Sequence, residues 1–110
     1  GEGFTWETQD KARDIAAAEA GWEKAKSLIL DDTLRMVLLD EINIALRYDY
    51  LDLEEVLEFL VEEKPPMTHV VLTGRNAKEE LIEIADLVTE MGQIKHPFRA
   101  GVKAQKGVEF

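Results

Sequence analysis

Leu34-Arg35-Met36-Val37-Leu38-Leu39-Asp40-Glu41 decides how the rest of the chain is read. Met36 to Leu39 is apolar at every position rather than at alternate ones, which is the pattern of a strand covered on both faces of a parallel sheet. The run stops in two adjacent carboxylates. Open α/β sheets keep their chemistry at the carboxyl ends of their strands. An Asp-Glu pair there is the Walker B pattern, in which a carboxylate holds Mg²⁺ directly or through water beside nucleotide phosphates. The same pair also suits a plainer purpose, because an acid after a strand commonly caps the helix that follows.

The 110 residues correspond to one domain with a single modest core. Hydrophobic residues at 45% and charged residues at 33% are the balance of a globular domain in water. No apolar stretch approaches the roughly 20 residues that a membrane helix needs. There is no cysteine, so neither a disulfide framework nor a thiolate metal site is available, and a cytoplasmic setting is expected. The net charge is −10, from 13 basic and 23 acidic side chains. Such a surface argues against general binding to nucleic acid or to an anionic membrane, both of which require positive charge to replace counterions. The charge is uneven: Asp49 to Glu63 holds seven acids and no base, whereas Lys95, Arg99, Lys103 and Lys106 oppose only Glu109 near the end. That basic tail either neutralises its neighbours or meets a phosphate-bearing ligand.

Outward from the central strand, the segment Gly1 to Thr8 places Phe4 and Trp6 two residues apart, on one side if the segment is extended. They either plug the edge of the core or clamp a flat ligand. Ile15, Ala18, Trp22, Ala25 and Ile29 recur at helical steps and predict a helix from about Asp10 to Leu30, capped by Thr8 or Asp10. Asp31-Asp32-Thr33 turns the chain into the central strand. Ile42 to Tyr48 is expected to leave that strand as a short helix or turn, with Asn43 and Arg47 facing water or a ligand. Asp52 with Glu55 resembles a capping box ahead of Leu53, Val56, Leu57, Leu60 and Val61, and Lys64-Pro65-Pro66 ends that helix. Thr68 to Thr73 is a second buried strand. A parallel crossover then brings Thr73-Gly74-Arg75 to the sheet edge that carries Asp40-Glu41, where Arg75 can pair with a phosphate or with a carboxylate. His69 falls at the opposite edge. Asn76 is expected to cap a third helix with Leu81, Ile84 and Ala85 inward, and Leu87 to Met91 is expected to form a third strand ending at Gly92.

Several of these stretches together carry a family resemblance: Gly1-Glu2-Gly3-Phe4-Thr5-Trp6-Glu7-Thr8-Gln9, Met36 to Glu41, Tyr48-Asp49-Tyr50-Leu51, Leu72-Thr73-Gly74-Arg75, Lys95-His96-Pro97-Phe98, and Ala100 to Phe110. The chain resembles the P-loop-type corrinoid adenosyltransferases from its first residue to its last. The resemblance implies an α/β fold of the parallel-sheet P-loop NTPase (RecA-like) type. It also implies transfer of the 5′-deoxyadenosyl group of ATP to the Co(I) of a corrinoid, cob(I)alamin, with release of triphosphate. Phe4 and Trp6 match the aromatic wall that removes the lower axial ligand of cobalt. Asp40 and Glu41 match the Mg²⁺-holding pair, with Glu41 the nearer ligand. Arg75 and Lys103 match motif positions suited to phosphate or structural contacts. A flavoprotein reductant and a homodimer are the implied partners.

One feature of the family pattern is absent. A phosphate loop of the form G-x-x-x-x-G-K-S/T should precede the Gly-Phe-Thr-Trp segment, and none occurs here, so residues 1–110 read as a single partial α/β domain missing the first strand and helix. Two expectations stand side by side. Either the chain is the carboxyl-terminal portion of an active enzyme, inactive alone, or it is a shortened corrinoid-binding or partner module without catalysis. Without the resemblance, an acidic α/β scaffold domain in which both sites are structural would also fit.

Overall fold

A computed structural model describes residues 6–95, with the side chains of Trp6 and Glu7 outside that description. The elements run α1 (Trp6–Ile29), β1 (Met36–Leu39), α2 (Ile42–Arg47), α3 (Leu53–Glu58) with a π-helical turn (Phe59–Glu63), β2 (His69–Leu72) and α4 (Glu79–Ile84). The two strands pair in parallel, Met36 opposite His69 through Leu39 opposite Leu72. The strand, helix, strand order therefore gives the expected parallel arrangement, and both strand ends reach the same edge.

Inward residues of all four helices meet one face of this sheet. Trp22, Ala25 and Ile29 of α1, Ile42, Ala45 and Leu46 of α2, Val56 of α3 with Phe59 behind it, and Leu81 of α4 close over Val37 and Leu39. The α1 stripe is the one the spacing predicts. Trp22 and Phe59 meet edge to face with centroids 5.4 Å apart, a geometry that suits the ring quadrupoles. Lys26 joins α1 to α3, lying 2.6 Å from Glu23 and 3.5 Å from Glu55. Between α1 and β1, Asp31 Oδ1 accepts hydrogen bonds from Thr33 Oγ1 at 2.6 Å and Thr33 N at 2.9 Å, closing the turn into the strand.

Several expectations are corrected. Among the described residues β1 is covered on one face only, because every helix joins the same core: Val37 and Leu39 are buried, while Met36 and Leu38 are 63% and 56% exposed. Helix α1 begins at Trp6, so Thr8 and Asp10 lie inside it and do not cap it. Asp52 caps α3 by accepting from Glu54 N at 3.0 Å, but Glu55 does not close a box; it pairs with Lys26 instead. The π turn, closed by Lys64 N donating to Phe59 O at 3.0 Å, shifts the helical register by one residue. Phe59, three residues after Val56 and on the same helical face, is buried, whereas Val61 within the π turn is exposed. Asn76 is not the cap of α4. It takes a left-handed φ of 54°, which asparagine tolerates in turns, and Lys78 precedes the first helical residue. Of the three apolar positions assigned to α4, Leu81 is buried while Ile84 and Ala85 are exposed. Leu87 to Met91 forms no strand: among the described residues the sheet has two strands, and this segment pairs with neither of them.

Candidate functional site: the carboxyl edge of the strand pair

At the carboxyl edge, the residue after β2 is stapled to the residues after β1. Thr73 N donates to Leu39 O at 3.2 Å, and Thr73 O accepts from Asn43 N at 3.2 Å. Thr73 Oγ1 accepts from Glu41 N at 2.9 Å and donates to Asp40 Oδ1 at 2.6 Å. Asp40 and Glu41 are both half-buried. Glu41 sits in the left-handed region with φ 65° and ψ 14°, preceding α2 without a side-chain cap. For a residue bearing a Cβ that conformation costs about 1–3 kcal/mol and persists only where the surroundings hold it. The plain helix-capping purpose thus fails for Glu41, and its carboxylate is left for other work.

Asn43, expected to face water, is instead buried, and among the described residues its Oδ1 has no hydrogen-bond partner. It lies against Gly74, whose φ is 133° and where an added Cβ would stand 2.8 Å from Asn43 Cβ. The first turn of α2 is therefore packed directly on the loop that follows β2. Arg47 is exposed, as expected. Arg75 reaches this edge but is exposed, and among the described residues it pairs with neither carboxylate. His69 is exposed at the opposite end of β2. Phe4, the side chain of Trp6 and Lys103 lie outside the described residues.

Thr73 makes the contacts that tie the two strand ends together; the sequence places it at this edge but does not show those contacts. Once two parallel strands end in step, the hydroxyl residue following one must lie beside the acid following the other. Asn43 and Gly74 gave no comparable signal, because their contact depends on how closely α2 approaches the loop.

Carboxylates are hard oxygen donors. Mg²⁺ typically takes one or two of them and completes its octahedron with water and phosphate oxygens. No group of three or more His, Cys, Asp or Glu gathers among the described residues, so an all-protein cage is not formed there. Two half-buried acids on adjacent positions fit Mg²⁺ held together with a phosphate-bearing ligand.

A parallel α/β arrangement with an acidic pair at the carboxyl edge is consistent with part of a nucleotide-binding fold. The profile of the family described as ATP:corrinoid adenosyltransferase BtuR/CobO/CobP matches residues 1–110. A corrinoid adenosyltransferase of Sinorhizobium sp is 77% identical over 110 residues, covering 100% of this chain and 51% of the relative. One from Pseudomonas aeruginosa is 58% identical over 110 residues, covering 100% and 54%. One from Escherichia coli strain K12 is 46% identical over 108 residues, covering 98% and 55%. The chain belongs to the ATP:corrinoid adenosyltransferase family, and it spans about half the length of the curated relatives it matches.

Proposed function

We propose that these residues supply the corrinoid-facing and Mg²⁺-holding part of an enzyme that transfers the 5′-deoxyadenosyl group of ATP to the Co(I) of a corrinoid. The fold is read as part of a parallel P-loop NTPase (RecA-like) sheet, working in the cytoplasm as a homodimer supplied with electrons by a flavoprotein. In the reaction, cobalt supplies the electron pair of the new Co–C5′ bond. The C5′–O bond breaks, and triphosphate leaves with the electrons of that bond. The observation that carries this reading is the acidic edge: two half-buried carboxylates after β1, one of them held by Thr73 of the neighbouring strand end, in a chain whose whole length matches the family.

Asp40 and Glu41 would hold Mg²⁺, which when bound neutralises charge on the departing triphosphate. Their half-burial limits water at the cation and strengthens each charge contact made there. Arg75, free of any partner among the described residues, has a guanidinium available for a phosphate, and Lys103 is a second candidate for the same duty. Phe4 and Trp6 are assigned to the corrin face, where a dry aromatic wall disfavours axial ligation of cobalt by water or base. The phosphate loop is not among the 110 residues, so turnover is expected of the native gene product and not of this stretch alone.

The test is the Mg²⁺ dependence of adenosylcobalamin formation by the native gene product. Asp40→Asn and Glu41→Gln should each raise the Mg²⁺ requirement by at least about tenfold, on the scale of a lost ligand, while Glu62→Gln on the exposed face should not. Unchanged Mg²⁺ dependence in both edge variants would exclude the assignment.

A further inference from the structure

All the polar groups of Thr73 are engaged, and all their partners lie between Leu39 and Asn43. A threonine hydroxyl has one proton to give and lone pairs to accept with. The backbone N–H of Glu41 can only donate, so it takes a lone pair of Oγ1 at 2.9 Å. The single hydroxyl proton must then point to Asp40 Oδ1, 2.6 Å away, a length typical of a hydrogen bond to a charged carboxylate. Asp40 Oδ1 is thereby committed as an acceptor and rotation of its carboxylate is arrested. Oδ2 remains the oxygen of Asp40 without a protein partner among the described residues. The same hydroxyl satisfies the amide of Glu41 in its left-handed conformation.

We propose that Thr73 is the positioning residue of the acidic edge: its hydroxyl orients Asp40 so that this side chain offers one oxygen to the cation, and it holds the backbone from which Glu41 departs. The inference rests on the reading that Asp40 and Glu41 hold Mg²⁺. It goes beyond that reading by assigning the hydroxyl of the neighbouring strand to the geometry of the site. Valine at this position would keep the shape of threonine, leave the Glu41 N–H without its acceptor and release the Asp40 carboxylate to turn. Serine would keep both hydrogen bonds.

The experiment measures Mn²⁺ binding, by the loss of the free-ion electron paramagnetic resonance signal, in the native gene product with ATP present. Thermal unfolding is followed in parallel. Thr73→Val should weaken Mn²⁺ binding by about 10–100-fold, the scale on which groups that orient metal ligands act, and Thr73→Ser should restore it to within about threefold. Thr73→Ala, which adds no bulk, serves if the valine variant does not fold, with the same loss expected. If Asp40→Asn weakens Mn²⁺ binding while Thr73→Val and Thr73→Ala do not, the positioning assignment is wrong and the metal reading stands. If Asp40→Asn itself has no effect, the metal reading falls and takes this inference with it. A lower unfolding temperature with unchanged Mn²⁺ affinity would make Thr73 a structural residue only, and failure of serine to restore binding would exclude the hydroxyl as the cause.

Discussion

Gly74→Ala should cost the protein about 1–5 kcal/mol, a figure assembled from two separate penalties and one compensation. The backbone φ at Gly74 is 133°, a conformation that L side chains rarely adopt. Holding alanine there costs roughly 1–3 kcal/mol. The new Cβ would stand 2.8 Å from Asn43 Cβ and 3.3 Å from Asn43 N. Carbon atoms prefer about 3.5–4.0 Å, and such overpacking typically costs about 1–3 kcal/mol. Against these, alanine stiffens the unfolded chain and returns about 0.4–1 kcal/mol. Urea denaturation gives the total, provided the slope of the transition is unchanged. Combining the change with Asn43→Gly separates the causes, because glycine at position 43 removes the Cβ that would collide but leaves the backbone strain at 74. The pair should couple favourably by about 1–2 kcal/mol, within the range seen for residues in contact. A cost for Gly74→Ala below about 0.5 kcal/mol would refute the strain assignment. Strict additivity with Asn43→Gly would refute the collision, and with it the view that α2 is packed onto the loop that delivers Arg75.

Two further expectations are independent of the site's chemistry. Leu39→Ala should destabilise by about 2–5 kcal/mol, whereas Leu38→Ala, one residue away on the open face, should cost under about 1 kcal/mol in residues 1–110; equal costs in urea titrations would contradict one-sided burial of β1. The Thr33 hydroxyl, and after it the Thr33 amide, holds the Asp31 carboxyl below its ordinary value. Its stabilisation is therefore fully present above the ordinary carboxylate range and is lost as pH falls through the lowered folded value. Thr33→Ala should move the Asp31 titration upward, as read by carboxyl carbon NMR, and make stability less sensitive to acid.

Periodicity and chain breakers made most of the frame legible. The stripe of Trp22, Ala25 and Ile29, the run Met36 to Leu39 and the prolines after Lys64 each act locally, so their consequences can be read without tertiary knowledge. The errors fall where the decision was tertiary. Leu87 to Met91 has strand composition, yet a strand exists only when a neighbour accepts its hydrogen bonds. Val61, which helical spacing places inward, is exposed because a π turn changes the helical phase, and nothing local in Phe59 to Glu63 announces one. At the edge, the acids were legible as residue types and the parallel crossover placed Thr73-Gly74-Arg75 beside them. The staple itself was not, because it depends on the register that sets Leu39 opposite Leu72 and on the left-handed turn at Glu41.

The strongest pattern in the sequence also asks for more than the described residues provide. A strand needing cover on one face would alternate, whereas Met36 and Leu38 are as apolar as Val37 and Leu39. Paired beside them on β2, Val71 adds to the same outer face. Three large apolar side chains turned outward on adjacent strands form a patch of the kind that marks a face meant to be covered. Under the proposed function, that cover and the missing phosphate-binding elements have the same source: a parallel nucleotide-binding sheet is clothed on both faces, and the phosphate loop lies at the carboxyl edge of one of its strands. The side of β1 that is open among residues 6–95 and the chemistry that residues 1–110 do not carry are then two consequences of the same incomplete sheet.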